Sequence, residues 1–123
     1  MPSCLEPGNP AMLVVMHLDQ ALEVLLPIGI ERISDHARSL SEQVSTGLEE
    51  LGLTVISPTT YEERSGNTCF LATDAEEMNN RLAELGVLCY GGYGRLRVST
   101  HLYNGSADVS HCLEVLSDLV REI

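Results

Sequence analysis

The sequence predicts an α+β fold: a two-layer sandwich in which a small antiparallel sheet of about four strands carries helices packed mainly on one face. Three observations point there. Apolar residues recur at steps of three and four along stretches that stop at glycine, the pattern of amphipathic helices. Short runs rich in β-branched and aromatic residues come in two adjacent pairs, the pattern of hairpins. The two patterns alternate as α-α-β-β-α-β-β-α, which sets paired strands among flanking helices within a single domain over residues 1–123.

The first helix is expected at about 10–27. Asn9-Pro10 opens it, with Asn as N-cap and Pro at the first helical position. The apolar residues from Ala11 to Leu26 cover most of its circumference, so it is expected to be buried on several sides, more than one small sheet can cover. A second helix runs from about Ile30 to Leu51 on a stripe of Ile30, Ile33, Ala37, Leu40, Val44, Leu48 and Leu51, and Gly52 stops it. Leu53 to Ser57 reads as a first strand ended by Pro58, and Asn67 to Ala72 as a second, with a polar, solvated loop (Thr59 to Gly66) between them. Thr73 and Glu76 form a capping box for a third helix, which buries Ala75, Met78, Leu82 and Leu85 and ends at Gly86. Val87 to Tyr90 and Arg95 to Ser99 read as the last two strands, turned by Gly91 to Gly94. After Asn104-Gly105-Ser106 a final helix buries Val109, Cys112, Leu113, Leu116, Leu119 and Val120.

Charge and cysteine usage narrow the function. Seven basic residues stand against eighteen acidic ones, a formal net charge of −11. Such a surface repels nucleic acid and anionic membranes. His17, Asp19, Gln20 and Glu23 interrupt the apolar N-terminal stretch, and Met1 to Pro10 has no basic segment, so neither a membrane span nor a signal peptide is expected. Cys4, Cys69, Cys89 and Cys112 show no metal-ligand spacing and read as small core residues of a cytoplasmic protein. The four histidines are scattered, and no metal site is expected.

The stretch Gly94-Arg95-Leu96-Arg97-Val98-Ser99-Thr100-His101-Leu102-Tyr103-Asn104, followed by Asp108, resembles the Arg-x-Ser then Tyr-Asn signature of class V aminotransferase-like proteins. These are fold-type I pyridoxal-phosphate proteins that include cysteine desulfurases, selenocysteine lyases and isopenicillin epimerases. Leu5-Glu6-Pro7-Gly8-Asn9, Ile28-Gly29-Ile30-Glu31-Arg32-Ile33 with His36, and Arg64-Ser65-Gly66 match other family segments in order. The resemblance covers residues 5 to 123 and is to the small C-terminal domain, without the large cofactor domain.

That resemblance implies a role for two residues. Arg97 occupies the position that binds the substrate's α-carboxylate, a task suited to the bidentate geometry of guanidinium. Asn9 falls in a segment that contacts the cofactor phosphate across a subunit interface, where a helix N-terminus holds an anion. The residues themselves also allow plainer readings, with Arg97 paired to a surface carboxylate and Asn9 merely starting a helix. All seven basic residues are Arg, so the chain has no lysine for a pyridoxal-phosphate Schiff base. No catalytic residue is therefore assigned, and no cofactor is expected on this chain alone. Cys89 lies just before the Gly91 to Gly94 connection and reads as a buried strand cysteine rather than a nucleophile. The expected role is a non-catalytic binding or interaction module, homo-oligomeric (a dimer) through its first helix. The alternative is the small domain of a split enzyme, in which a separately encoded large domain supplies the cofactor site and Arg97 recognises the substrate carboxylate in trans.

Overall fold

A computed structural model describes residues 11–121. The elements run α1 (Met12–Ile28), α2 (Ile30–Glu50), β1 (Asn67–Leu71), α3 (Ala75–Glu84), β2 (Tyr90–Gly92), β3 (Arg95–Ser99) and α4 (Ser106–Arg121). The chain divides into two compact units, Met1–Arg32 and Ile33–Ile123.

In the first unit α1 begins one residue after Ala11, which occupies the N-cap position without a side-chain cap bond. The Asn9-Pro10 start expected from the sequence lies outside the described residues. Gly29 ends α1 with φ +89°, and its N–H donates to the Leu25 carbonyl at 3.1 Å. No residue of α1 is buried. Leu13 and Leu26 are each 72 % exposed. Apolar side chains all round a helix call for cover on several sides.

The second unit holds the core. Leu40, Val44 and Leu48 of α2, Ala75, Met78 and Leu82 of α3, and Val109, Cys112, Leu116 and Leu119 of α4 close over Phe70 and Leu96 of the sheet. The stripe predicted for α2 is thus buried in its second half, while Ile30 remains exposed. Gly52 stops α2 in the left-handed conformation, with Gly52 N–H donating to Glu49 and Leu53 N–H to Leu48. These are the two bonds of a Schellman stop, and Gly86 with Val87 repeats them after α3. Asp74 is the N-cap of α3 and makes no side-chain cap bond, so the Thr73–Glu76 capping box does not form.

The sheet has three strands in the order β1-β3-β2, all antiparallel. The expected fourth strand, Leu53 to Ser57, is reduced to a single bridge, Val55 to Phe70. Hydrogen bonding accounts for the shortening. Ile56 N–H and Leu71 N–H make the bridge bonds, but Cys69 N–H goes to Ser57 Oγ. The Cys69 donor that would lengthen the ladder is taken, and Pro58 has no N–H to offer.

The second hairpin also differs from expectation. Gly91 and Gly92 belong to β2, and the turn is the pair Tyr93-Gly94, with φ +55° and +71°. Two positive φ angles in a two-residue loop suit the twist of the flanking strands. Gly91 serves a different purpose: a Cβ there would stand 2.3 Å from the Ala75 carbonyl oxygen and 2.6 Å from Asn79 Cβ. Without a side chain at Gly91, β2 lies directly against α3.

Candidate functional site

Side chains alternate across the strands. Thr68, Phe70 and Leu96 are buried against the helices, whereas Asn67, Leu71, Tyr90, Arg95, Arg97 and Ser99 are exposed on the opposite face. The sheet therefore has one covered and one open face. Arg97 sits at the centre of the open face, between Cys69 on β1 and Tyr90 on β2. Its guanidinium carbon lies 5.3 Å from the centroid of the Tyr90 ring. At that distance the cation sits over the ring face, a cation–π contact. Among the described residues no carboxylate pairs with Arg97.

Around this centre the signature residues brace one another. Ser99 Oγ donates to Asn67 Oδ1 at 2.7 Å across the β1–β3 pair. Thr100 donates from Oγ1 to the carbonyls of Ala37 and Gly66, at 3.0 and 3.1 Å. His36 Nε2–H donates to the Asn104 carbonyl at 2.9 Å, and Asn104 Oδ1 accepts from His101 N–H. Asp108 Oδ2 accepts from Gly105 N–H at 2.8 Å, which caps α4. Of the segments carrying the resemblance, His36, Asn104 and Asp108 thus position backbone, while Arg95 and Arg97 have no ion-pair partner among the described residues. Asn9 lies outside the described residues.

Arg64 was expected on a solvated loop tip, but it is 8 % exposed. It pairs with Glu42 at 3.1 Å and donates to the Thr59 carbonyl, while its Nε has no partner among the described residues. It pins the Thr59 to Gly66 loop to α2. Tyr61 is likewise tied down, its hydroxyl donating to Asp35 and its ring lying 4.9 Å under the Arg38 guanidinium.

Cys89 is half-buried just before β2, and its thiol donates to Asn79 Oδ1 at 3.3 Å. Burial pushes its pKa up, so the thiol remains protonated and is a poor nucleophile at neutral pH. Burial, with the nearby Cys89 as a smaller cause, raises Cys112 to about 11. Two cavities of about 370 Å³ lie in the helical layer, one beside Met78 and Leu119 and one beside Val109 and Cys112, and Arg97 lines neither.

No protein-family model matches the chain. The probable cysteine desulfurase of Streptomyces coelicolor is 29 % identical over 131 residues, which cover 94 % of this chain and 31 % of that protein. An uncharacterized aminotransferase of Schizosaccharomyces pombe is 28 % identical over 102 residues, covering 83 % of this chain and 26 % of that protein. The relatives thus include probable cysteine desulfurases and an uncharacterized aminotransferase. The chain spans between a quarter and about a third of their length. The apo cysteine desulfurase of Thermococcus onnurineus superposes with a TM-score of 0.90 at 22 % identity, over 96 % of this chain and 33 % of that one. An Escherichia coli cysteine desulfurase superposes at 0.80 with 24 % identity, over 95 % and 32 %. At such identities these two establish the shared fold.

The class V resemblance implies pyridoxal phosphate, and the residues here can be tested against it. The open face offers guanidinium and phenol donors but no amine to form a Schiff base, because the chain contains no lysine. The cofactor's covalent anchor does not fit on this chain by itself.

Proposed function

We propose that the chain is the substrate-carboxylate-recognising portion of a class V aminotransferase-like enzyme, working with a lysine-bearing large domain supplied from outside these 123 residues. The observation that carries this reading is Arg97: over the Tyr90 ring, exposed on the open sheet face, and unpaired with any described carboxylate in a chain holding eighteen acidic residues. A guanidinium without a carboxylate partner can take one in two parallel hydrogen bonds. The large domain would supply cofactor and catalysis, and this chain the orientation of the substrate.

The partner is tested by capturing the chain from its own cells and identifying what co-purifies by mass spectrometry. A lysine-bearing class V large domain is the expected companion, and recovery of the chain by itself would overturn the reading. In the assembled enzyme, Arg97→Gln is expected to leave docking unchanged. It should lower kcat/KM for the amino-acid substrate by roughly 30-fold or more, the loss of about 2 kcal/mol for breaking a desolvated charge pair.

The exposure of α1 favours a second reading, a stand-alone cytoplasmic module without catalysis that assembles as a homodimer through that helix. A single-component dimer in the same capture experiment, with no large domain, would select it.

A further inference from the structure

We infer that the open sheet face recognises a ligand bearing two anionic groups, a short dicarboxylate, with Arg95 holding the second carboxylate; this rests on the reading of Arg97 as a carboxylate site. Arg95 and Arg97 stand two residues apart on β3, both exposed on the same face. The strand rise puts their Cα atoms roughly 6.6 Å apart. Among the described residues neither has an ion-pair partner. The face they share is built from Asn67, Cys69, Leu71, Tyr90, Gly92 and Ser99, none of them acidic. The chain as a whole carries −11, yet this patch concentrates two like charges whose mutual repulsion is relieved by an anion lying across both.

Tyr90 links the two positions. Its ring lies under Arg97, and its hydroxyl reaches to 3.4 Å from where a Cβ on Gly92 would stand. Gly92 is the cross-strand partner of Arg95. The phenol therefore lies on the Arg95 row. The result is a row of donors (Arg97, the Tyr90 hydroxyl, Arg95) beside the apolar Leu71, matching two carboxylates joined by a short aliphatic link. A monocarboxylate would engage Arg97 alone.

Calorimetric titration of the 123-residue chain at low ionic strength, with glutarate and with butyrate, tests this. Glutarate is expected to bind about tenfold tighter or more, since it adds a second charge-assisted pair. Arg95→Gln should bring glutarate down to the affinity of butyrate and leave butyrate unchanged, whereas Arg97→Gln should weaken both. Equal wild-type affinities, or a glutarate preference that survives Arg95→Gln, would overturn the dicarboxylate inference while the Arg97 reading stands. Butyrate binding that survives Arg97→Gln, or no binding of either ligand, would overturn both.

Discussion

Single side chains in this protein act through pairings that linear order conceals. Ser41 and Ser45 fall on the buried face of α2, where spacing alone would place apolar residues. They are tolerated because Ser41 Oγ and Thr68 Oγ1 hydrogen-bond at 2.8 Å and Ser45 Oγ donates to the Ser41 carbonyl. The Arg97–Tyr90 stack was illegible for a similar reason: it depends on strand register, and placing the turn at Gly91 to Gly94 ends β2 before that register is set. The sequence does single out Arg97, through its place in the signature. At this scale Cys112 yields a pH prediction. Its thiol is raised from 9.0 to about 11 in the folded protein, so between those values the unfolded chain has lost the proton and the native state keeps it. The native state then binds more protons, and stability falls as pH rises. Denaturant unfolding of wild type and Cys112→Ala from pH 8 to 11 should show a wild-type decline larger by about 2 kcal/mol. Parallel curves would contradict the burial argument.

Elements with strong periodicity came through from the sequence. The second half of the α2 stripe, the α4 stripe and the strands β1 and β3 fall where apolar spacing and β-branched runs put them, and the α3 stripe does so except at Leu85, which was expected to be buried and is exposed. The failures are those in which a local hydrogen bond defeated a propensity. The run Leu53 to Ser57 has strand composition, but the Ser57 hydroxyl takes the Cys69 N–H and the ladder stops at one bridge. The glycines before Tyr93 read as a turn, whereas Gly91 is spent on the contact of β2 with α3. Gly91→Ala is therefore expected to cost about 1–3 kcal/mol, as overpacking against backbone does. Gly105→Ala, where an added Cβ meets nothing within 4 Å, is the control. Chemical denaturation of the two variants decides it, and equal midpoints would refute the close-packing account.

For the whole molecule, two surfaces look outward: the open sheet face with its paired arginines, and the apolar α1. Leu18 and Leu22, four residues apart on α1, are 58 % and 40 % exposed. An uncovered apolar helix on a chain that carries −11 sets hydrophobic association against charge repulsion. Purified alone, the 13.4 kDa chain is expected to sediment as a species heavier than a monomer, increasingly so as salt screens the repulsion. Leu18→Glu with Leu22→Glu should return it to monomer mass. A wild-type monomer at all salt concentrations would overturn association through α1.

The exposure of α1 also bears on the fate of the chain in a cell. Chaperones and proteases act on exposed apolar segments, and a helix with no buried residue presents one even when the rest of the chain is folded. A partner that covered α1 would thereby set the lifetime of the chain. The abundance of the chain would then follow that of the partner, falling when the partner is depleted although its own synthesis is unchanged.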